Sequence, residues 1–363
     1  MNLEHLLEQY LNDNRIFQVA DRLTMSQPQH MVLKNLSGSS PEFIVSALFR
    51  HSITEQLNHI IVLNDAEEAA YFHNTLENLT GALDLFYFPS SFRNKKNFRI
   101  LNSSHVMLRT ETLTRLSSGG NKKLVVTYPE ALFEKVVRPE MLNRNIIRIK
   151  VNDVLDSVKL YGQLTDAGFT RTDFVYEPGQ FAVRGGILDI YSFGNEKPYR
   201  IELFGNDVDS IRLFDPETQL SERKLLQVNI IPNLQAELPE EATVTLFDFL
   251  PENTAVWMND WQFVKERIEI QEEDLQLFLD RQEGGSQPEE EEDKLIRRSV
   301  NREEFVTAIE VEDKLKSMHL LEMEGNSTIT GHLKTEIQFH TRPQPSFNRQ
   351  FELLIKDLSL IHI

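Results

Sequence analysis

VYEPGQFAVRGGILDIYSFGNEKPYRIELFGNDVDSIRLFDP, residues 175–216, reads as four short strands joined by turns. Phe181-Ala182-Val183-Arg184 runs into Gly185-Gly186, a hairpin signal, and Ile187 to Tyr191 follows. Gly194-Asn195-Glu196-Lys197-Pro198 supplies the next turn and Tyr199 to Phe204 the next strand. Gly205-Asn206-Asp207 then leads into Val208 to Phe214. Four antiparallel strands in so few residues make a small sheet, which needs a helix to cover its apolar side.

Alternate side chains of a strand point to opposite faces. Tyr199, Ile201 and Leu203 share one face, the core side, while Arg200, Glu202 and Phe204 share the other. Arg184 lies on the side of Gln180 and Ala182, opposite Phe181 and Val183. With Leu188 and Ile190 facing inward, Asp189 and Tyr191 face outward. An outward face of Arg, Phe, Tyr and carboxylates matches the anchors of a protein-binding surface. The alternative is that Phe204 sits under a neighbouring loop and the arginines pair with local carboxylates.

The same stretch carries a family resemblance. PGQFAVRGGILDIYSFG and PYRIELFGNDVDSIRLFDPETQLS resemble the module shared by UvrB and the bacterial transcription-repair coupling factors. The resemblance implies docking onto UvrA through Arg184, Arg200 and Phe204, with Gln180 and Glu202 as neighbours in the contact. Strand parity had already set those three apart. It also implies that motor domains, which use ATP and Mg, and contacts to RNA polymerase and DNA lie beyond Ile363. A C-terminal domain of the family would mask the UvrA-docking surface in the resting protein.

Upstream, His30 to Leu36 reads as a strand, Ser37-Gly38-Ser39-Ser40-Pro41 as a turn, and Glu42 to Phe49 as a helix. Strand, glycine turn and helix is the layout of a phosphate-binding loop. Such a loop needs a second glycine, a lysine for the β/γ charge and a hydroxyl for magnesium. Set beside the UvrB pattern, Gly38 matches, Ser40 replaces the later glycine, Pro41 stands in the lysine position and Glu42 in the hydroxyl position. The expectation is a P-loop-like scaffold that has lost ATP; without the resemblance, an ordinary strand–turn–helix. Neither has ATPase activity, so no cofactor is expected in this chain.

The remaining residues set the organisation. His59 to Leu63, Leu83 to Phe88 and Lys123 to Thr127 alternate with helices over Asp65 to Leu79, Val106 to Leu116 and Pro129 to Lys135, the rhythm of a parallel α/β sheet. Asn145 to Val151 reads as a strand and Asn152-Asp153 as the cap of a helix reaching Asp166. Val154, Leu155, Val158, Tyr161 and Leu164 of that helix are spaced to pack on Ile201 and Leu203. The closing strand runs from Leu225 to Ile231, after which short elements and a long helix from Asp260 to Arg281 return to the first sheet. The expected fold class is α/β: a degenerate P-loop-like parallel α/β domain, discontinuous in sequence (1–149 and 232–363), with a small α+β antiparallel-sheet domain (150–231) inserted. Glu283-Gly284-Gly285-Ser286-Gln287-Pro288, followed by the acidic run Glu289 to Asp293, should be a mobile loop.

Charge and composition exclude several classes. Residues 1–150 hold 17 basic and 15 acidic side chains, residues 151–231 hold 8 and 13, and residues 232–363 hold 13 and 28. Duplex binding needs cations gathered on one face, and only Arg93, Lys95, Lys96 and Arg99 form a local cluster, read as a solvated loop. With no cysteine there is no disulfide scaffold, thiolate zinc site or cysteine nucleophile. The ten histidines show no metal-binding spacing. Asp207 and Asp209, two residues apart at a strand entrance, read as turn chemistry. No signal-peptide pattern and no run long enough to span a membrane is visible, so a cytoplasmic, non-catalytic fragment is expected. The weaker alternatives are a UvrB-type ATP-dependent helicase fragment and a nucleic-acid-binding module.

Overall fold

The computed structural model describes residues 3–81, 84–94, 96–119, 122–193, 195, 197–231, 242–283, 300–325, 329, 334–342, 350–352 and 355–356. A seven-stranded sheet lies at its centre, in the order Lys334–Gln338, His30–Lys34, His319–Met323, Thr254–Met258, Asn58–Val62, Leu124–Thr127 and Leu85–Tyr87. Every neighbouring pair is parallel. Parallel neighbours require crossovers, and the helices Ser40–Arg50, Ala66–Thr80, Ser103–Ser117 and Trp261–Glu283 lie in the connecting chain. Asn58–Val62 and Thr254–Met258 are buried along their whole length, as continuous apolar runs between layers should be. Asp65 caps the helix Ala66–Thr80, its carboxylate accepting from the backbone N–H of Glu67 and Glu68 at 3.0 and 2.9 Å. Strands from before residue 147 and from after residue 231 enter this one sheet.

His319–Met323, near the middle of the sheet, is a strand that the sequence pattern does not announce, because a histidine and a glutamate interrupt it. The glutamate is tolerated because it is partnered. Glu322 is fully buried, its Oε2 lies 2.8 Å from His30 Nε2, and its Oε1 accepts from the Trp261 N–H at 2.8 Å. The helix Asn14–Leu23, capped by the Asp13 carboxylate, and the helix Pro139–Asn145 are further elements beyond the sequence expectation.

The second sheet has six strands in the order Ser221–Leu225, Asp207–Phe214, Tyr199–Phe204, Ile187–Ile190, Gln180–Arg184 and Thr170–Arg171. The four expected strands form an antiparallel meander, with Thr170–Arg171 added parallel to Gln180–Arg184. Leu160 and Leu164 of the helix Ser157–Asp166 share a buried cluster with Phe181, Leu188, Ile190, Ile201 and Ile211. Gln227–Ile230 pairs with Ile147–Lys150 instead of closing the meander, and the polar edge strand Ser221–Leu225 takes that place.

One expectation about this unit fails for a clear reason. Its helix starts at Ser157, with Asp156 capping the Lys159 N–H at 3.1 Å, and not at Asn152-Asp153. Asn152, with a φ of 71°, turns the chain, and residues 153–155 then run beside the hairpin formed by Tyr199–Phe204 and Asp207–Phe214. Asn152 N–H donates to Val208 O (2.8 Å), Val208 N–H to Asp153 O (2.9 Å) and Leu155 N–H to Asn206 O (2.7 Å). Three backbone hydrogen bonds to a neighbouring strand outweigh a local cap. The helical phase shifts with the start, so Leu160 and Leu164 face the core while Val154 and Val158 are exposed. Residues 284–293 of the expected mobile loop and Lys95 of the basic cluster lie outside the described residues.

Candidate functional site

Two glycine features set the geometry of the small sheet. Gly185 has a φ of 60°, and a Cβ on Gly186 would stand 2.7 Å from the Leu203 carbonyl oxygen. Only Gly-Gly makes this turn so close to the next strand, where Leu203 N–H donates to Gly186 O at 2.7 Å. The resulting register sets Ala182 opposite Asp189 and Asp189 opposite Arg200. These three side chains therefore share the face turned away from the apolar core.

Asp189 is the hub of that face, and it is fully buried. Its Oδ1 accepts from Arg200 Nε at 2.8 Å and its Oδ2 from Arg200 Nη2 at 2.9 Å, a bidentate pair. The same Oδ2 accepts from Arg184 Nη2. Arg200 Nη1 donates to Gln219 O at 2.9 Å, and its guanidinium lies over the Phe214 ring, 4.4 Å from the centroid. The hydrogen bonds to Asp189 push the Arg200 pKa above its ordinary value. The Arg184 guanidinium lies 4.5 Å over the Phe174 ring, with Nη1 donating to Asp173 O at 3.3 Å. Arg200 keeps 13% of its side-chain surface exposed and Arg184 31%.

The outward face thus falls into two halves. Over one half, Val175, Ala182, Tyr191 and Phe214 close into a small buried cluster. Gln219 Nε2 ties the covering segments together by donating to Val175 O and Pro216 O at 3.2 and 2.7 Å. Gln180 serves the same cover, its Oε1 accepting from the N–H groups of Tyr176 and Glu177 at 2.8 and 3.1 Å. Asp189 and Tyr191 point outward, as parity requires, but are not exposed.

The other half is open and ends in Phe204, whose surface is 82% exposed. Glu202 beside it accepts from Ser210 Oγ at 2.6 Å and from Arg212 Nη2 at 3.2 Å. Phe204 pairs with Asp207 across the hairpin, and Asp207 bridges antiparallel to Val154. Laterally paired residues point the same way, so Val154, 73% exposed, lies on the same face as Phe204 with the exposed Asp207 between them.

Of the residues singled out in the sequence, Arg184 and Arg200 meet on Asp189, while Phe204, Gln180 and Glu202 lie on the same face without joining that cluster. Asp189, Phe174, Phe214 and Val154 were not assigned a part in the site. Parity points Asp189 the right way, but its pairing with Arg200 depends on the length of the 191–198 turn, which parity leaves open. Val154 was hidden by the misplaced helix start.

Residues 37–42, where the sequence suggested a P-loop that has lost ATP, lie apart, after the strand His30–Lys34 of the parallel sheet. Gly38 has a φ of 57°, and Pro41 sits in the first turn of the helix Ser40–Arg50. Three backbone N–H groups in and beside this turn are already engaged. Leu36 N–H donates to Glu324 Oε1 at 2.5 Å, Ser37 N–H to Ser40 Oγ at 2.9 Å and Ser40 N–H to Ser37 O at 3.2 Å. Glu42 is buried, and burial raises its carboxyl pKa, with the hydrogen bond from its own N–H pulling the other way. A buried acid at a helix N-terminus occupies the position where a phosphate would otherwise be favoured. Among the described residues no group of three or more His, Cys, Asp or Glu could hold a metal ion, and no helix is long and apolar enough to cross a membrane.

Residues 147–235 match the family described as UvrB interaction domain. Over 215 residues, 59% of this chain, the sequence is 28% identical to the transcription-repair-coupling factor of Bacillus subtilis (strain 168), the match covering 18% of that protein. The corresponding protein of Haemophilus influenzae is 28% identical over 211 residues, 57% of this chain and 18% of the relative. That of Rickettsia typhi is 30% identical over 191 residues, 50% of this chain and 16% of the relative. The chain therefore matches less than a fifth of the length of each of these relatives.

Proposed function

We propose that this chain is the UvrA-recruiting N-terminal module of a transcription-repair coupling factor. It would act in the cytoplasm and link RNA polymerase stalled at damaged DNA to nucleotide-excision repair. The observation that carries this reading is Phe204, an aromatic ring left 82% exposed at the tip of a hairpin inside the matched residues. A ring so placed gains nothing for folding, whereas aromatic and arginine side chains are the usual anchors of an interface. Arg184, Arg200, Gln180 and Glu202 share its face and form the polar surround of the same contact.

In this reading the parallel α/β part, formed by 1–149 and 232–363, is a P-loop-like scaffold without nucleotide chemistry, and 150–231 is the docking unit it holds out. The engaged N–H groups around Gly38 and the buried Glu42 support the loss of ATP binding. Motor activity, polymerase and DNA contacts, and masking of the docking face by a C-terminal domain belong to parts of the protein outside this chain.

Pull-down of purified UvrA by the chain and by a variant combining Arg184→Ala, Arg200→Ala and Phe204→Ala tests the reading. Capture should be lost by a variant that still folds by circular dichroism, and Phe204→Ala alone should weaken it if baring the buried Asp189 prevents folding. Equal capture by a folded triple variant refutes it, and a nucleotide-dependent thermal shift refutes the inert loop.

A further inference from the structure

We infer that Asp189 is a positioning residue for UvrA docking: it holds Arg184 and Arg200 in one fixed arrangement before the partner arrives. The inference rests on the docking reading above and adds to it a residue that never needs to touch the partner.

The geometry favours this role over simple structural pairing. A fully buried carboxylate is costly, and it is compensated here by two guanidinium groups instead of one. Each guanidinium is also stacked on a ring from a covering segment or strand end, Arg184 on Phe174 and Arg200 on Phe214. Asp189 and Gln219 O occupy three N–H donors of Arg200. Of five donors in a guanidinium, two remain for a partner. Asp189 and Asp173 O occupy two donors of Arg184, leaving three. The arginines thus reach the surface as rigid, partly engaged forks. Long side chains lose rotamer freedom when an interface forms, and a side chain ordered beforehand avoids that loss. Without the Asp189 charge, two cations would face one shared acceptor site, and Arg200 would be driven outward into solvent.

The test uses this chain and purified UvrA. Affinity is measured by surface plasmon resonance, well below the melting temperature of each variant. Arginine Nε–Hε signals are recorded by NMR. Asp189→Asn should weaken binding tenfold or more and broaden or shift the Arg200 Nε–Hε signal. Loss of folding stability alone would leave the affinity of the folded fraction unchanged. Phe174→Ala, at a half-exposed ring, frees Arg184 from one side and should weaken binding severalfold with little change in melting temperature. It decides the matter if Asp189→Asn does not fold. Phe204→Ala is the control for the docking reading. If Phe204→Ala weakens binding but Asp189→Asn (or, should that not fold, Phe174→Ala) binds as tightly as the parent, the positioning role is wrong and the docking reading survives. If none of them changes binding, both fall.

Discussion

Phe204→Ala separates a docking residue from a folding residue more cleanly than any other change in this chain. A phenylalanine side chain can bury about 150–250 Å². With 82% of its surface free in the unbound chain, most of that area is available to a partner and little contributes to the fold. At ~25 cal/mol per Å², burying on the order of 150 Å² is worth at most about 4 kcal/mol. Alanine keeps part of the contact, so a loss of about 2–3 kcal/mol is expected if Phe204 is a hot spot. At 1.4 kcal/mol per tenfold, that is a rise in Kd of roughly 30- to 140-fold. The same substitution should change folding stability by no more than about 0.5 kcal/mol, as for an ordinary surface site. Titration calorimetry against UvrA and a urea melt of the isolated chain measure the two quantities. The reasoning fails if the Kd is unchanged, and equally if stability falls in step with affinity, because the ring would then belong to the fold.

Three further outcomes follow from other parts of the structure. Val154→Ser removes the second exposed apolar side chain of the row that runs from Phe204 through Asp207, and it should raise the Kd severalfold in the same calorimetry while leaving the melt unchanged. His59 is fully buried, accepts from Trp257 Nε1 at 3.0 Å, and has its pKa pushed down to about 3 by burial and, less, by Lys122. The unfolded chain therefore binds the proton first, so stability is full above about pH 6.5 and falls on acidification toward pH 3, by at most ~1.4 kcal/mol per pH unit. His59→Gln should flatten the difference between urea melts at pH 7 and pH 5, and a variant with the parent's full pH 7-to-5 difference would show that His59 is not its source. Glu42 has the opposite sign: burial raises its carboxyl, so its contribution is complete below the unfolded carboxyl range and is lost as pH rises through the folded value. Glu42→Gln should raise the melting temperature at pH 7 and leave it unchanged near pH 3, as read by calorimetric scans.

Much of this arrangement was legible in the residues. Gly185-Gly186 and Gly205-Asn206 announce their hairpins because only a few residue types adopt those turns, and period-2 parity put Phe204 and the arginines on one side. The buried runs of the parallel sheet were equally plain. What stayed hidden has a common cause, namely backbone or side-chain partners far away in sequence. The stretch 152–155 abandons its cap for hydrogen bonds to Asn206 and Val208. Glu322 enters a central strand because His30, 292 residues distant, meets it. The arginines looked solvent-facing because nothing local says that residues 172–176 and 215–220 fold over half the sheet.

That cover changes what the odd face means. The two sequence readings, an exposed anchor surface or arginines paired with local carboxylates, exclude each other only if the face is uniform. It is not uniform. Arg200 is engaged by Asp189, Gln219 and Phe214, while Phe204 on the same strand stands free. An interface built this way would draw desolvation energy from the ring and orientation from the arginines, since cations already compensated by Asp189 need not lose their whole hydration when a partner closes over them. Two predicted signatures separate these contributions. Changing Phe204 should alter affinity at every ionic strength alike. Changing Arg184, the more exposed of the pair, should make binding less dependent on salt, because only a charge still open to solvent is screened by it. A Phe204 effect that vanished at high salt, or an Arg184 effect indifferent to it, would reverse these assignments.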